Sequence, residues 1–100
     1  MQAKVTIVIP VWNGANWLPD CLHALRQQTF RDFTVLIVDN GSNDGSADIT
    51  RAIWPQAQII AFKRNRGFAA AVNAGFRASA SAYIALLNVD TQPRPNWLAT

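Results

Sequence analysis

The sequence predicts an α/β fold with a doubly wound, mainly parallel sheet. Four short apolar runs alternate with three helical patterns, and a polar loop follows each run. Strands buried on both faces have continuous apolar runs, and strands that alternate with helices join by right-handed crossovers into a parallel sheet. The chain has 100 residues, which is too short for two independent cores.

The predicted strands are rich in β-branched and other apolar side chains. They lie at residues 5–9, 33–38, 58–62 and 83–87. Pro10 closes the first strand and Asp39 closes the second. None of the runs alternates regularly with polar residues, which is typical of strands covered by helices on both faces.

The predicted helices lie between these strands, from Asn16 to Gln28, from Ser46 to Trp54 and from Gly67 to Ala80. Helical spacing of the apolar residues predicts the side that faces the sheet. The expected inward-facing side chains are, helix by helix, Leu18, Cys21, Leu22 and Leu25; Ile49, Ile53 and Trp54; and Phe68, Val72, Phe76 and Ser79. The third helix is rich in alanine, so we expect it to pack close to the sheet.

Composition excludes several classes of protein. Half of the residues are hydrophobic and 15% are charged, so the chain is not disordered by composition. A single cysteine excludes an internal disulfide and a cysteine-cluster metal site, and it favours a reducing compartment. No apolar run reaches the roughly 18 residues that span a bilayer. We therefore expect a cytoplasmic protein, with the inner face of the membrane included as a location.

The distinctive polar residues all follow strands. They form the segments 10–14, 39–45, 63–67 and 88–90. Because the carboxyl ends of parallel strands meet at one edge of the sheet, where ligands of doubly wound folds bind, we expect a site there.

Asp39 comes directly off the second strand and is a candidate ligand for N–H and hydroxyl groups. The alternative is that its carboxylate only caps the turn that follows, which is rich in residues that suit turns and helix starts. For Gly41, Asp44, Gly45 and Ser46 we expect that structural role.

The segment Lys63-Arg64-Asn65-Arg66 places three cations before the third helix, where free N–H groups already favour anions. It predicts a phosphate contact, for which Arg66 is the candidate. The alternative is a solvated basic loop with Asn65 as the helix cap. Arg66, Ala70, Asn73 and Arg77 would share one helical stripe, on which alanine lets a ligand approach Asn73.

Asn88 and Asp90 end the last strand, and their spacing places both side chains on one side of an extended backbone. Asp90 is a candidate ligand for a hard divalent cation, although one carboxylate needs diphosphate oxygens and waters to complete an octahedron. The alternative is that the Asn-x-Asp pattern is a chance occurrence.

Several other residues give only weak indications of function. Cys21 and the rings of Trp54 and Phe62 are expected in the core, and His23 in solvent, whereas Trp12 would either stack on a base or cover the core. The first loop lacks G-x-G-x-x-G, and no G-x-x-x-x-G-K-[ST] occurs, so dehydrogenases and P-loop enzymes are disfavoured.

Five motifs in order resemble the amino-terminal half of family 2 glycosyltransferases, an inverting group with the GT-A fold, and within it the rhamnosyltransferase-like branch. The matching segments are Val8-Ile9-Pro10-Val11-Trp12-Asn13, residues 21–29, residues 38–46, residues 65–75 and Leu86-Leu87-Asn88-Val89-Asp90. Asn88 stands where the family's Asp-x-Asp motif has its first aspartate, which implies a weaker metal site.

The resemblance implies a binding site for a nucleoside diphosphate sugar. Beside Arg66, the candidate phosphate contact, the residues of this site would be Asp39 and the first loop for the nucleoside, the region of Asn73 near the ribose and phosphates, and Asn88 and Asp90 for the ribose and the metal-bound diphosphate. In the first loop these are Pro10, Val11 and Asn13. Asp90 would be the metal ligand, with Mg²⁺ or Mn²⁺ as the cofactor.

The implied activity is transfer of a sugar, such as rhamnose from dTDP-rhamnose, to a hydroxyl of a glycan or lipid-linked acceptor with inversion. The family's general base lies beyond the Asp-x-Asp motif, so no catalytic residue is assigned here. The alternatives are a module that only binds nucleotide and a basic nucleic-acid-binding domain. The second is disfavoured because the cations cluster on one loop, and we expect no nucleic-acid partner.

Residues 1–100 are thus expected to be the incomplete donor-binding portion of one GT-A domain, truncated after the Asp-x-Asp-like motif. A new apolar pattern starts at residues 93–100 and is not completed. The acceptor half, the base and any membrane attachment are expected after it.

Overall fold

The computed structural model describes residues 3–99. Strands and helices alternate in the order β1 (Val5–Val11), α1 (Leu18–Arg26), β2 (Phe33–Asp39), α2 (Ser46–Ile53), β3 (Gln58–Ala61), α3 (Phe68–Ala78) and β4 (Tyr83–Leu86). The strands form one sheet in the order β3-β2-β1-β4, and every pair is parallel. The predicted doubly wound α/β fold is confirmed. The helices are shorter than predicted at their ends, and β1 continues through Pro10.

The two faces of the sheet are covered by different helices. On one face α1 and α2 pack over Ile7, Ile9 and Ile37, and the predicted stripe of α1 is fully buried. Cys21 lies in this core, and Trp54 is buried as expected. On the other face α3 covers Val8, Leu36 and Val38. Phe62 is half-buried against this second, smaller core.

The inward face predicted for α3 is wrong. Phe68 and Phe76 are 59% and 42% exposed, whereas Ala71 and Gly75 are the buried residues of the helix. The reason is the closeness of the packing, since a Cβ at Gly75 would overlap Cγ1 of Val8. A helix at that distance contacts the sheet with its smallest side chains, and its phenylalanines lie to the sides.

The direction in which the chain adds strands to the sheet reverses at β1. From β1 the chain moves outward to β2 and β3, and α3 then returns over the opposite face to β4 on the other side of β1. In doubly wound sheets ligands bind at such a switch point, outside the carboxyl ends of the strands. Within residues 3–99, no helix is long and apolar enough to cross a membrane.

Candidate functional site

A cavity of about 150 Å³ lies at the carboxyl edge of the sheet. It is lined by Pro10, Val11, Trp12, Asn40, Asn65 and Phe68, which come from the end of β1, from three different loops and from the start of α3. Larger cavities, of about 470 and 280 Å³, lie beside β4 and at the amino ends of the strands and contain no predicted site residue. The smaller cavity is the candidate site because the polar chemistry surrounds it.

Asn13 joins the first loop, residues 12–17 between β1 and α1, to the second loop, residues 40–45 between β2 and α2. Its φ is +50°, its backbone N–H donates to Oγ of Ser42 at 2.8 Å, and its Oδ1 accepts from the backbone N–H of Asn43 at 3.0 Å. The side-chain oxygen of this predicted site residue is therefore engaged in holding the two loops together.

Asp44 and Ser46 join the same two loops, a role that the sequence does not predict, since it assigns both residues to the turn before α2. Oγ of Ser46 accepts from the N–H of Gly14 at 3.1 Å, and Oδ2 of Asp44 accepts from the N–H of Ala15 at 3.0 Å. The hydroxyl of Ser46 also donates to Oδ1 of Asp44 at 2.5 Å. This hydrogen bond, followed by those from backbone N–H groups, lowers the pKa of Asp44 below its usual 3.8.

Asp39 is the last residue of β2 and is only 7% exposed. Its Oδ1 accepts from the backbone N–H of Ser42 at 3.0 Å, so the carboxylate does cap the turn. Its Oδ2 accepts no hydrogen bond from the described residues and is not sealed from solvent. One oxygen thus maintains the turn, and the other has no hydrogen-bond partner within residues 3–99.

Asn40 is a residue that the sequence analysis missed. Its side chain is buried, its Nδ2 donates to the carbonyl of Gly67 at 3.0 Å, and its Oδ1 accepts from the N–H of Arg66 at 2.8 Å. Asn40 therefore fastens the loop before α3 to the end of β2. Its place at the end of a buried strand was the available signal, but it lies in a segment rich in residues that suit turns.

The basic loop before α3 lies on the surface. The guanidinium of Arg66 stacks over the ring of Phe62, 4.5 Å from its centroid, and the side chains of Lys63 and Arg64 are exposed. Oδ1 of Asn65 accepts from the N–H of Gly67 at 2.7 Å, which caps this turn, while Gly67 itself stands at the cap position of α3.

The helical stripe predicted from Arg66 to Arg77 is only partly correct. The helix begins at Phe68, so Arg66 lies in the loop and the stripe starts at Ala70. Asn73 is exposed on α3, and its side chain makes no hydrogen bond to the rest of residues 3–99.

Asn88 and Asp90 lie after β4, beside the end of β1. Residues 88–91 form a turn in which the carbonyl of Asn88 accepts from both the N–H and the hydroxyl of Thr91, at 3.1 and 2.6 Å. The extended backbone predicted for this pair is therefore wrong. Both side chains are still exposed, and within the described chain neither makes a hydrogen bond or an ion pair.

The turn is held against the first loop by Val89. A Cβ at Gly14 would lie 2.9 Å from Cγ1 of Val11 and 3.3 Å from both methyl groups of Val89, so a side chain there would crowd this contact. Burial, and secondarily the charge of Asp90, raises the pKa of Cys21 in α1 to about 11. Asp90 is thus close enough to α1 for its charge to act on the thiol.

The residues fit a divalent cation only in combination with a ligand. No group of three His, Cys, Asp or Glu side chains capable of holding a metal occurs in residues 3–99. Asp90 supplies one free carboxylate and Asn88 one free amide oxygen. A hard cation at this position needs further oxygens, which a diphosphate and water supply.

Comparison with known proteins identifies the family. The model of glycosyl transferase family 2 matches residues 6–100. The glycosyltransferase AglE of Haloferax volcanii is 36% identical over 99 residues, which are 94% of this chain and 33% of AglE. The glycosyltransferase GlyG of Streptococcus pneumoniae is 26% identical over the whole chain and 34% of its own length. The chain thus spans about a third of these relatives.

Solved structures have the same fold. The mannosyltransferase PcManGT of Pyrobaculum calidifontis, in complex with GDP-Man and Mn²⁺, superposes with a TM-score of 0.89 at 23% identity, over 99% of this chain and 31% of its own. Residues 1–349 of S. aureus TarS, in complex with UDP-GlcNAc, superpose with a TM-score of 0.89 at 19% identity, over 96% of this chain and 29% of that one. The Rossmann-like sheet expected of the GT-A fold is confirmed, and the chain belongs to glycosyl transferase family 2.

Proposed function

We propose that this chain supplies the donor-binding part of a glycosyltransferase that moves a sugar from a nucleoside diphosphate sugar to an acceptor hydroxyl with inversion. The resemblance to the rhamnosyltransferase-like branch makes dTDP-rhamnose the first donor to test, and a glycan or a lipid-linked saccharide the first acceptor class. The observation that carries the proposal is that the cavity and the exposed carboxylate of Asp90 both lie at the carboxyl edge of the sheet, where ligands of doubly wound folds bind.

The nucleoside is assigned to the cavity. Pro10 and Val11 line it, and Trp12 is 58% exposed, so its ring is accessible for stacking on a base. Oδ2 of Asp39 is an acceptor for the N–H or hydroxyl groups of the nucleoside. Asn13 contributes to the site mainly by holding the first loop against the second, through its backbone N–H and its side-chain oxygen.

The diphosphate is assigned to the space between the cavity and the turn after β4. Arg66 and the exposed cations beside it supply positive charge, and Asn73 supplies a neutral amide on α3. Asn88 and Asp90, in the turn after β4, would supply the remaining polar groups. A divalent cation bound by Asp90 would neutralise charge on the departing diphosphate.

Known relatives support this assignment by what they bind. PcManGT was solved with GDP-Man and Mn²⁺, and TarS with UDP-GlcNAc. Both ligands are nucleoside diphosphate sugars. The general base that would deprotonate the acceptor hydroxyl is proposed to lie outside residues 1–100.

The test is a titration of the ¹⁵N-labelled full-length protein with UDP, dTDP or GDP in the presence of Mg²⁺. We expect amide shifts around Asp39 and Asp90 with at least one of the three nucleotides, and none there with a long oligonucleotide. If no nucleotide shifts these amides, the donor-site proposal is wrong. Nucleotide binding without sugar transfer to any acceptor would instead favour a module that only binds nucleotide.

A further inference from the structure

Gln28 is a buried polar residue at the end of α1 that the proposed function does not use. It is 2% exposed, and both ends of its amide are engaged by one later segment. Its Nε2 donates to the carbonyl of Arg94 at 2.6 Å, and its Oε1 accepts from the N–H of Leu98 at 3.1 Å. A buried amide with both functions satisfied by the backbone holds that backbone in one place.

The neighbouring residue strengthens the same attachment. The backbone N–H of Thr29 donates to the carbonyl of Pro95 at 2.7 Å, and its hydroxyl donates to the same carbonyl at 3.2 Å. Within the segment, the N–H of Trp97 donates to the carbonyl of Arg94 at 2.9 Å. Residues 94–98 therefore form a turn fastened to the end of α1.

This fastened segment follows Asp90 by only four residues. The intervening stretch is short and contains Pro93, whose ring fixes one backbone angle. On its other side the turn of Asp90 is held by Val89 against Gly14 and by the hydrogen bond from the N–H of Leu87 to the carbonyl of Val8, at 3.0 Å. The loop that carries Asp90 is thus attached at both ends, and Gln28 makes the later attachment together with Thr29.

We propose that Gln28 is a positioning residue for Asp90. It holds residues 94–98 on α1 and so fixes the carboxylate where cation and diphosphate bind. The inference rests on the proposed function, because it requires Asp90 to bind the metal. Gln28 itself contacts neither ligand.

The experiment compares Gln28→Glu with Gln27→Glu in the full-length protein. The Gln28→Glu substitution keeps an acceptor for the N–H of Leu98 but removes the donor to the carbonyl of Arg94. Gln27 is exposed and makes no side-chain hydrogen bond within residues 3–99, so its substitution is the matched control.

We measure the Kd of Mn²⁺ by electron paramagnetic resonance with saturating nucleoside diphosphate, and the Kd of the nucleotide without metal. Gln28→Glu should weaken Mn²⁺ binding roughly tenfold and change the metal-free nucleotide Kd less than about twofold. Gln27→Glu should change neither.

A folded Gln28→Glu variant with the Mn²⁺ affinity of the unsubstituted protein would overturn the inference, as would equal losses of metal and nucleotide affinity. Hydrogen exchange of the unsubstituted protein is a second measurement that does not depend on the variant folding. It should show protected amides at Thr29 and Leu98, and rapid exchange at both would also overturn the inference. If the unsubstituted protein binds neither nucleotide nor Mn²⁺, the proposed function fails, and this inference fails with it.

Discussion

The second loop and the turn after β4 lie at the same edge of the sheet but are built differently. In the second loop and at the first residue of α2 the polar side chains mostly bond to protein, and Asn40, Asp44 and Ser46 each hold a neighbouring loop. In the turn after β4 the side chains of Asn88 and Asp90 make no hydrogen bond or ion pair to residues 3–99. The comparison separates polar residues that build the edge from those that remain available to a ligand.

The physical reason is burial. A buried polar group without a partner costs about 1–3 kcal/mol, so the buried Asn40 must be satisfied by the protein itself. Asn88 and Asp90 are exposed and are satisfied by water, which a diphosphate or a cation can replace. Substitutions in the second loop should therefore reduce stability, and substitutions after β4 should reduce function.

The largest effect is expected for Asp90→Asn in the full-length protein. Removing the one free carboxylate at the turn should lower metal-dependent sugar transfer by on the order of a hundredfold or more, while Tm stays the same. A radiolabelled-sugar transfer assay and thermal unfolding measure the two quantities. Asp48→Asn is the control, since within residues 3–99 this exposed acid pairs only with Arg51, at 3.1 Å. Unchanged transfer by Asp90→Asn would remove Asp90 from the site.

The second prediction concerns the loss of unfolding free energy when either of two glycines in the second loop is replaced by alanine. Gly41 and Gly45 have nearly equal φ values of +81° and +83°, but a Cβ at Gly41 would overlap the backbone of Arg64 and Asn65, and one at Gly45 would meet nothing. Gly45→Ala should cost roughly 1–2 kcal/mol of unfolding free energy for its left-handed backbone. Gly41→Ala should cost about 1–3 kcal/mol more because it also overpacks. Urea unfolding compares the two variants, and equal losses would show that the loops do not meet there.

The smallest effect concerns pH. The hydrogen bonds of Asp44 lower its pKa in the folded state, so its contribution to stability is present above its unfolded pKa and is lost as pH falls through the lower folded value. Asp44→Asn should therefore be less stable than the unsubstituted protein at pH 7, and the difference should shrink below about pH 3.8. Asp44 is exposed, so the difference is expected to be small. Denaturant unfolding at pH 3 and pH 7 measures it, and a constant difference would contradict the assigned hydrogen bonds.

Much of the fold could be predicted because it depends on local patterns. The continuous apolar runs located all four strands, and the spacing of Leu18, Leu22 and Leu25 located α1 and its buried side. The same reasoning failed for α3, where Phe68 and Phe76 appeared to be the stronger apolar stripe. The spacing of apolar residues does not reveal how closely a helix packs on a sheet. In α3 the packing is so close that only the small residues Ala71 and Gly75 fit against the sheet.

For the site, the order of the motifs predicted which loops would meet, because parallel strands bring their carboxyl ends to one edge. Both the order of the motifs and the match to the family can be obtained from the sequence alone. The tertiary structure decided how each polar side chain is used. One oxygen of Asp39 accepts a hydrogen bond within a turn, and both ends of the Asn40 amide bond to the loop before α3. The carboxylate of Asp90, by contrast, is exposed and bonds to no residue from 3 to 99. The tertiary structure also brought Gln28 to residues 94–98, a contact across 66 to 70 positions of the chain that no local pattern contains.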